Sequence, residues 1–325
     1  MPIVRRLLVM LFVLTTGLGG GSVVAPAGPA AAQVRPDDPA AGLVYDGLRQ
    51  SRADSLCGGA LEAPIDAGID PSRKQVLCTH GPDPAPEGVD VRADRGPDLA
   101  AEVRLPSGAT AVAETAPLPC YGNGGDGFRV QLLYARGATS ADRFPTYASS
   151  FRSWAGRLDR VVDDSAAETG GTRHVRFVTD GSCNPMVERV TLSSGAMSSF
   201  STMVSELHSR GYSRSDRKYL VWADANVYCG ISELYVDDSA DPTPGRNYNN
   251  GHPFIQGAVG RVDNGCWGRS NMVEAHELLH LLGGVQTTAP NATSGYHCTD
   301  ESDRLCYADG TQKSRLRQVL SLIHI

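Results

Sequence analysis

Two histidines four residues apart, with a glutamate directly after the first, form the densest chemical grouping in the chain: His276-Glu277-Leu278-Leu279-His280. On a helix, residues four apart lie one turn apart on the same face, so the two imidazoles can meet one metal ion. Glu277 then stands beside that ion, where it can take a proton from a metal-bound water and later return it to a leaving amine. Zinc suits this arrangement, because it lowers the pKa of bound water to about 7 and polarises a carbonyl. The bland alternative is an amphipathic helix with two histidines, and roughly one chain in a hundred of this length would carry the pattern by accident. Helix context favours the site. Asn271 with Glu274 three residues on reads as an N-terminal cap, and Gly283-Gly284 as a stop. Leu278, Leu279 and Leu282 lie elsewhere around the helix and are expected to pack into the core.

The elements that must carry this helix are legible from about Cys120 onward. Arg129 to Tyr134 reads as a strand, followed by a helix over residues 147–163 with Phe151, Trp154, Leu158 and Val161 at helical spacing. Residues 174–179 alternate as a strand, residues 197–208 read as a second helix ended by Gly211, and residues 219–223 as a buried strand. A further strand is expected over residues 258–262, after a Gly/Asn-rich loop. Alternating strands and helices predict an α/β domain of roughly 200 residues, a normal domain size. Residues 33–118 are rich in Pro, Asp, Ala and Gly, as in Gly81-Pro82-Asp83-Pro84-Ala85-Pro86, and read as a loosely structured segment, either a propeptide or an extended arm. It could mask the cleft until removed, but none of its cysteines sits in a recognisable zinc-blocking motif.

The chain's first residues give an address. Two arginines, an apolar run over residues 7–18 and the small residues Ala30-Ala31-Ala32 make the three parts of a secretory signal peptide over residues 1–32. The apolar run breaks at Gly17, short of the roughly 20 residues a membrane span needs, so the product is expected to be secreted, extracellular and free of membrane. Cleavage would move the net charge from -6 to -8, as 28 basic groups face 36 acidic ones. That balance, with no basic stripe, argues against nucleic acid as a partner. Eight cysteines in an exported chain read as disulfides, and Cys57 with Cys78 is the best local pair. His80, His174, His208 and His252 show no ligand spacing and read as surface or strand histidines. Asp237, Asp238 and Asp241 form an acidic loop that could hold calcium, although the EF-hand spacing is absent and a solvated loop is the simpler reading.

His276, Glu277, His280 and Gly283 match in register the signature of the metzincin clan of zinc endopeptidases, His-Glu-x-x-His-x-x-Gly-x-x-His followed by a methionine-containing turn. The third histidine of that signature falls on Gln286. Asp303-Arg304-Leu305-Cys306-Tyr307 resembles the Met-turn, with Leu305 where methionine is usual and Tyr307 in its tyrosine position. The specific resemblance spans about residues 271–307. More loosely, residues 120–307 are similar to secreted bacterial metalloproteases with a metzincin-like core. The resemblance implies an α/β (α+β) fold with a mixed twisted sheet and an active-site helix. It also implies that Tyr307 donates a hydrogen bond to the oxyanion of the tetrahedral intermediate, a plain packing tyrosine being the alternative.

A catalytic zinc takes three protein ligands and keeps one open position, so with Gln286 in the third place another ligand is needed. His297 is the first choice, because zinc favours imidazole and the Gly283-Gly284 break lets the chain turn back. Asp300, Asp303 and Glu301 are the alternatives. The metalloprotease domain is expected over residues 119–319. The last six residues, Leu320-Ser321-Leu322-Ile323-His324-Ile325, translate the transposase end used in sequencing libraries, so the true chain is expected to continue past about Val319. Three functions follow: a monomeric zinc endopeptidase acting on polypeptide, another zinc hydrolase such as a cell-wall peptide amidase, or an inactive secreted binding protein. Intact Glu277 favours the first two, since an inert site has no chemical need of it.

Overall fold

Apolar residues crowd both faces of residues 129–137 and 217–223, the pattern of strands covered on both sides. The computed structural model describes residues 36–65, 75–97, 118–239, 243, 245–252, 255–269 and 273–298. In it these two segments are β4 (Arg129–Gly137) and β6 (Arg217–Ala223), paired in parallel with Leu132 opposite Leu220. β5 (Val187–Leu192) lies on the outer side of β4, and β8 (Val259–Asp263) on the far side of β6, both parallel. β7 (Gly230–Glu233) reverses direction against β8. β1 (Arg49–Gln50), β2 (Leu61–Ile65) and β3 (Gln75–Asp83) continue the sheet antiparallel from β7. The result is one mixed eight-stranded sheet in the order β1-β2-β3-β7-β8-β6-β4-β5.

Helices cover both faces, which gives the fold its α/β class. Alternate residues of each strand point to opposite sides. Leu132, Tyr134, Leu220 and Trp222 therefore meet α1 (Phe144–Ala167) and α4 (Val273–Leu281) through Phe151, Trp154, Leu158 and Leu278. Leu133, Ala135, Val221 and Val259 meet α2 (Ser194–Ser198) and α3 (Phe200–Ser209) through Met197, Phe200, Met203 and Leu207. The helical spacing of Phe151, Trp154, Leu158 and Val161 is realised in α1, where all four are buried.

Three local expectations change. The second helix is two, because Ser199 leaves helical geometry (φ -135°) and its hydroxyl accepts from Thr202 N to start α3. Residues 174–179 make only isolated bridges, since Val175 N donates to Asp159 Oδ1 of α1 at 2.7 Å, and His174 Nδ1 lies 3.0 Å from Asp159 Oδ2. The N-terminal segment is built into the sheet where its composition suggested little structure. Ala63 and Leu77 enter the core beside α3, and Cys57 is bonded to Cys78 as expected. Two further disulfides between described residues, Cys120–Cys183 and Cys229–Cys266, lie wholly beyond that segment, and Cys298 is disulfide-bonded as well. No helix among the described residues is long and apolar enough to cross a membrane. The described residues belong to one compact unit. The proposed signal peptide and the residues 320–325 lie outside the described residues.

At the end of β7, Glu233 is buried and accepts from Val259 N at 2.6 Å and from Tyr235 Oη at 2.9 Å. Burial pushes its carboxyl up to about 7. The folded chain thus holds this proton between the ordinary carboxylate value and about pH 7, where the unfolded chain has lost it. Its contribution to stability is complete at low pH and is lost as pH rises through about 7. At roughly 1.4 kcal/mol per pKa unit, Glu233→Gln should gain about 2–3 kcal/mol on wild type between pH 5 and pH 8. Denaturant melts of both proteins at the two pH values measure this, and a constant difference would refute it.

Candidate metal centre

α4 is buried around its whole circumference, with all nine residues inside the protein. It packs on the same face of the sheet as α1, and its end is fixed by identifiable bonds. Gly284 N donates to Leu279 O at 2.8 Å and Gly283 N to His280 O at 2.9 Å, with Gly283 at φ 85°. These paired bonds are the Schellman stop that the two glycines predicted. At the other end Glu274 reaches into the core. Its Oε1 accepts from Trp222 Nε1 at 3.0 Å and Gly268 N at 2.7 Å, tying the helix to β6. Asn271 lies outside the described residues. Leu278 and Leu279 pack inside, whereas Leu282 is 52% exposed because it falls at the helix end, past the last turn.

This frame turns His276 and His280 toward each other, their Nε2 atoms 3.0 Å apart. His297 joins them from the loop after α4, which is closed by Thr293 N donating to His297 O at 2.6 Å and His297 N to Thr293 Oγ1 at 3.2 Å. The His276 and His297 ring centres are 5.2 Å apart. Gln286 takes no part. Its Nε2 donates to Gly283 O at 3.1 Å and Tyr235 O at 3.3 Å, which holds the start of the loop. Tyr307, Leu305 and the alternative ligands Asp300, Glu301 and Asp303 lie outside the described residues.

Two residues that the sequence did not mark as site residues complete the cluster. Asp83 Oδ2 is 2.9 Å from His276 Nε2, and Asp83 Oδ1 is 3.2 Å from His297 Nε2. His80 lies flat against His280 with ring centres 3.8 Å apart, and its Nε2 is 3.5 Å from Glu277 Oε2. The reading of His80 as an unremarkable strand histidine is thereby corrected. Both residues come from β3, three apart, and in a regular strand such residues face opposite sides. The pairing to β7 passes from Thr79 opposite Glu233 to Gly81 opposite Ser232, so β3 holds one extra residue there. This bulge, with Gly81 at φ 104°, restores His80 and Asp83 to one face. The only available signal was His80-Gly81-Pro82-Asp83 itself, whose Gly-Pro pair reads first as a loop.

Glu277 sits against β7. Ser232 Oγ is 2.5 Å from Glu277 Oε2 and 3.0 Å from the Glu277 carbonyl oxygen. A Cβ on Gly230 would fall 1.8 Å from Glu277 Oε1, so that position admits no side chain. The turn leading into Gly230 is held by Asp263, whose Oδ2 accepts from Val227 N and Tyr228 N while Arg261 pairs with it in the core.

Electrostatics divide the two carboxylates. Burial, then the neighbouring Asp83, pushes Glu277 well above the usual carboxylate range. Burial alone would raise Asp83 too, but the imidazoles of His276, His80 and His297 outweigh it and hold Asp83 well below that range. Burial and the surrounding imidazoles depress His280, which keeps it neutral and able to donate a lone pair. Groups of His, Asp and Glu within 4.8 Å of one another here could hold a metal ion: His80, Asp83, His280 and His297, and Asp83, His276 and Glu277. Zinc with bonds of about 2.0–2.1 Å in tetrahedral geometry requires ligand atoms about 3.3 Å apart. The separations of 2.9, 3.0 and 3.2 Å among His276, His280, His297 and Asp83 approach that edge. The acidic loop is different in kind. Asp237 accepts from Ser239 N and Tyr248 N, Asp238 from Thr288 Oγ1, and Asp241 lies outside the described residues.

No protein-family model and no curated protein matches the chain. Among solved structures, metalloproteinase-II from Bacteroides fragilis aligns at 12% identity over 62% of this chain, with a TM-score of 0.27. The chain spans about half of that protein, 53% of its length. A superposition that loose says nothing about this chain's chemistry, which rests on its own residues.

Proposed function

We propose that the chain is a secreted zinc-dependent endopeptidase of metzincin type, with His276, His280 and His297 as the metal ligands and Glu277 as the general base. The observation that carries this reading is the convergence of His276, His280, His297 and Asp83, with contacts of 3.0, 2.9 and 3.2 Å, in a buried cluster beside Glu277. Bound zinc supplies an activated water and polarises the scissile carbonyl. Glu277 would take a proton from that water and deliver it to the leaving amine. Ser232 fixes the carboxyl that does so, and Glu274 holds the helix against Trp222 while charge develops. The three disulfides between described residues fit an oxidising compartment, in keeping with export. The substrate on this reading is polypeptide, taken by a monomer without nucleic acid or membrane.

Cleavage of fluorescent casein by the purified protein, loaded with one zinc per chain, tests the proposal. Activity should vanish on chelation and return with zinc. A zinc-loaded chain that cuts cell-wall peptides but leaves casein intact would move the assignment to an amidase. A chain that binds no zinc would end it.

A further inference from the structure

A cavity of about 560 Å³ opens on the sheet face that α1 and α4 share. Alternation along β6 turns Lys218 to the same side as Leu220 and Trp222. Those two lie packed under the helices, whereas Lys218 faces a space bounded by the last turns of both, α1 ending at Ala167 and α4 at Leu281. Val130, Val162, Ala166 and Leu279 give this space an apolar wall. Phe128 and Leu282, two of the four large hydrophobic side chains that the described residues expose, line it as well. Apolar surface gathered in one concave site of this size marks a place for an apolar ligand. None of the lining residues belongs to the metal cluster.

The charges around this space are unbalanced. Asp216 is the one acid of the lining, and Arg214 and Arg217 already hold it at 2.7 and 3.0 Å. Arg129 and Arg217 are spent on the main-chain oxygens of Phe177 and Gly127, and His174 is taken by Asp159. Arg173 and Arg176, both exposed, add positive charge. Lys218 is half-buried, and among the described residues no hydrogen bond or ion pair reaches its ammonium. Glu233 attracts it, but that carboxyl is engaged by Val259 N and Tyr235 Oη. Burial pushes the ammonium down to about 8, so it still carries its proton at neutral pH. A cation drawn out of water and left unpaired is stabilised by an arriving anion. We propose that this cavity binds a small amphiphile, an acyl chain ending in a carboxylate, with the carboxylate on Lys218 and the chain along the apolar wall.

The test titrates octanoate and octanol, by calorimetry, into the full-length wild type and Lys218→Met. Methionine keeps an apolar stem and loses the charge. Octanoate should bind wild type and bind the variant about 10- to 100-fold more weakly, the scale of one charge-assisted hydrogen bond. Octanol should bind both alike. A second measurement needs no variant. The chain has only three lysines, Lys74, Lys218 and Lys313, so lysine labelled with carbon-13 at Cε gives three resolvable signals. The signal that titrates near 8 should move its midpoint upward with saturating octanoate, because a carboxylate favours the charged ammonium, and should stay in place with octanol. Octanoate that fails to bind wild type, or that binds Lys218→Met equally well, would overturn the proposal. So would a lysine titration that saturating octanoate leaves unmoved. Each of these results leaves the metal cluster untouched, since the two sites share no residue.

Discussion

Glu277→Gln should reduce peptide-bond cleavage by about 10²–10⁴-fold, the usual contribution of a positioned general base. Zinc content should stay at one per chain. Glutamine matches glutamate in shape, so it occupies the same slot against Gly230, and its amide oxygen can accept from Ser232 Oγ. What it cannot do is hold a proton between two partners. The neighbouring His276 and His280 are set by the helix backbone and keep their 3.0 Å approach. The loss should therefore appear in kcat with KM little changed, because the interaction removed is made only in the transition state. Steady-state kinetics in whichever form of the chain cleaves casein, alongside metal analysis, would show this. Activity within three-fold of wild type would assign the proton transfer elsewhere.

The helix that carries this chemistry was legible because its signals are local. A four-residue repeat fixes two histidines on one face, and two glycines fix the end, and both are properties of a single helix. The long α1 was legible for the same reason, through Phe151, Trp154, Leu158 and Val161. His80 and Asp83 were not, because three-residue spacing faces one side of a strand only when a bulge intervenes. That bulge is specified by pairing with Ser232 and Glu233, some 150 residues away in sequence. β7 is four residues long and too short to show a period, although it positions Ser232 and Gly230 at the centre of the site. Composition misled for the N-terminal segment as well. Its proline and glycine do discourage a core of its own, but β2 and β3 need none, since they borrow the one beneath α3.

Removing the metal should destabilise the protein as well as silence it. The centre buries four imidazole side chains and two carboxylates with almost no solvent. Glu277 Oε1 and His280 Nδ1 have no hydrogen-bond partner there. Such groups cost stability unless something satisfies them, and a cation among them does so for the whole cluster. With free zinc at 1,000 times its dissociation constant, binding to the folded state alone adds about 4 kcal/mol. For a domain of this size that corresponds to about 10 °C in melting temperature. Chelation should lower the midpoint by that amount, and added zinc should restore it. Glu277→Gln should show the same shift, because it leaves the ligands in place, whereas His280→Ala should melt low with or without chelator. The two variants thus separate binding from catalysis. If wild type melts identically before and after verified removal of its zinc, the cluster is held by its own contacts, and the ion contributes nothing to the fold.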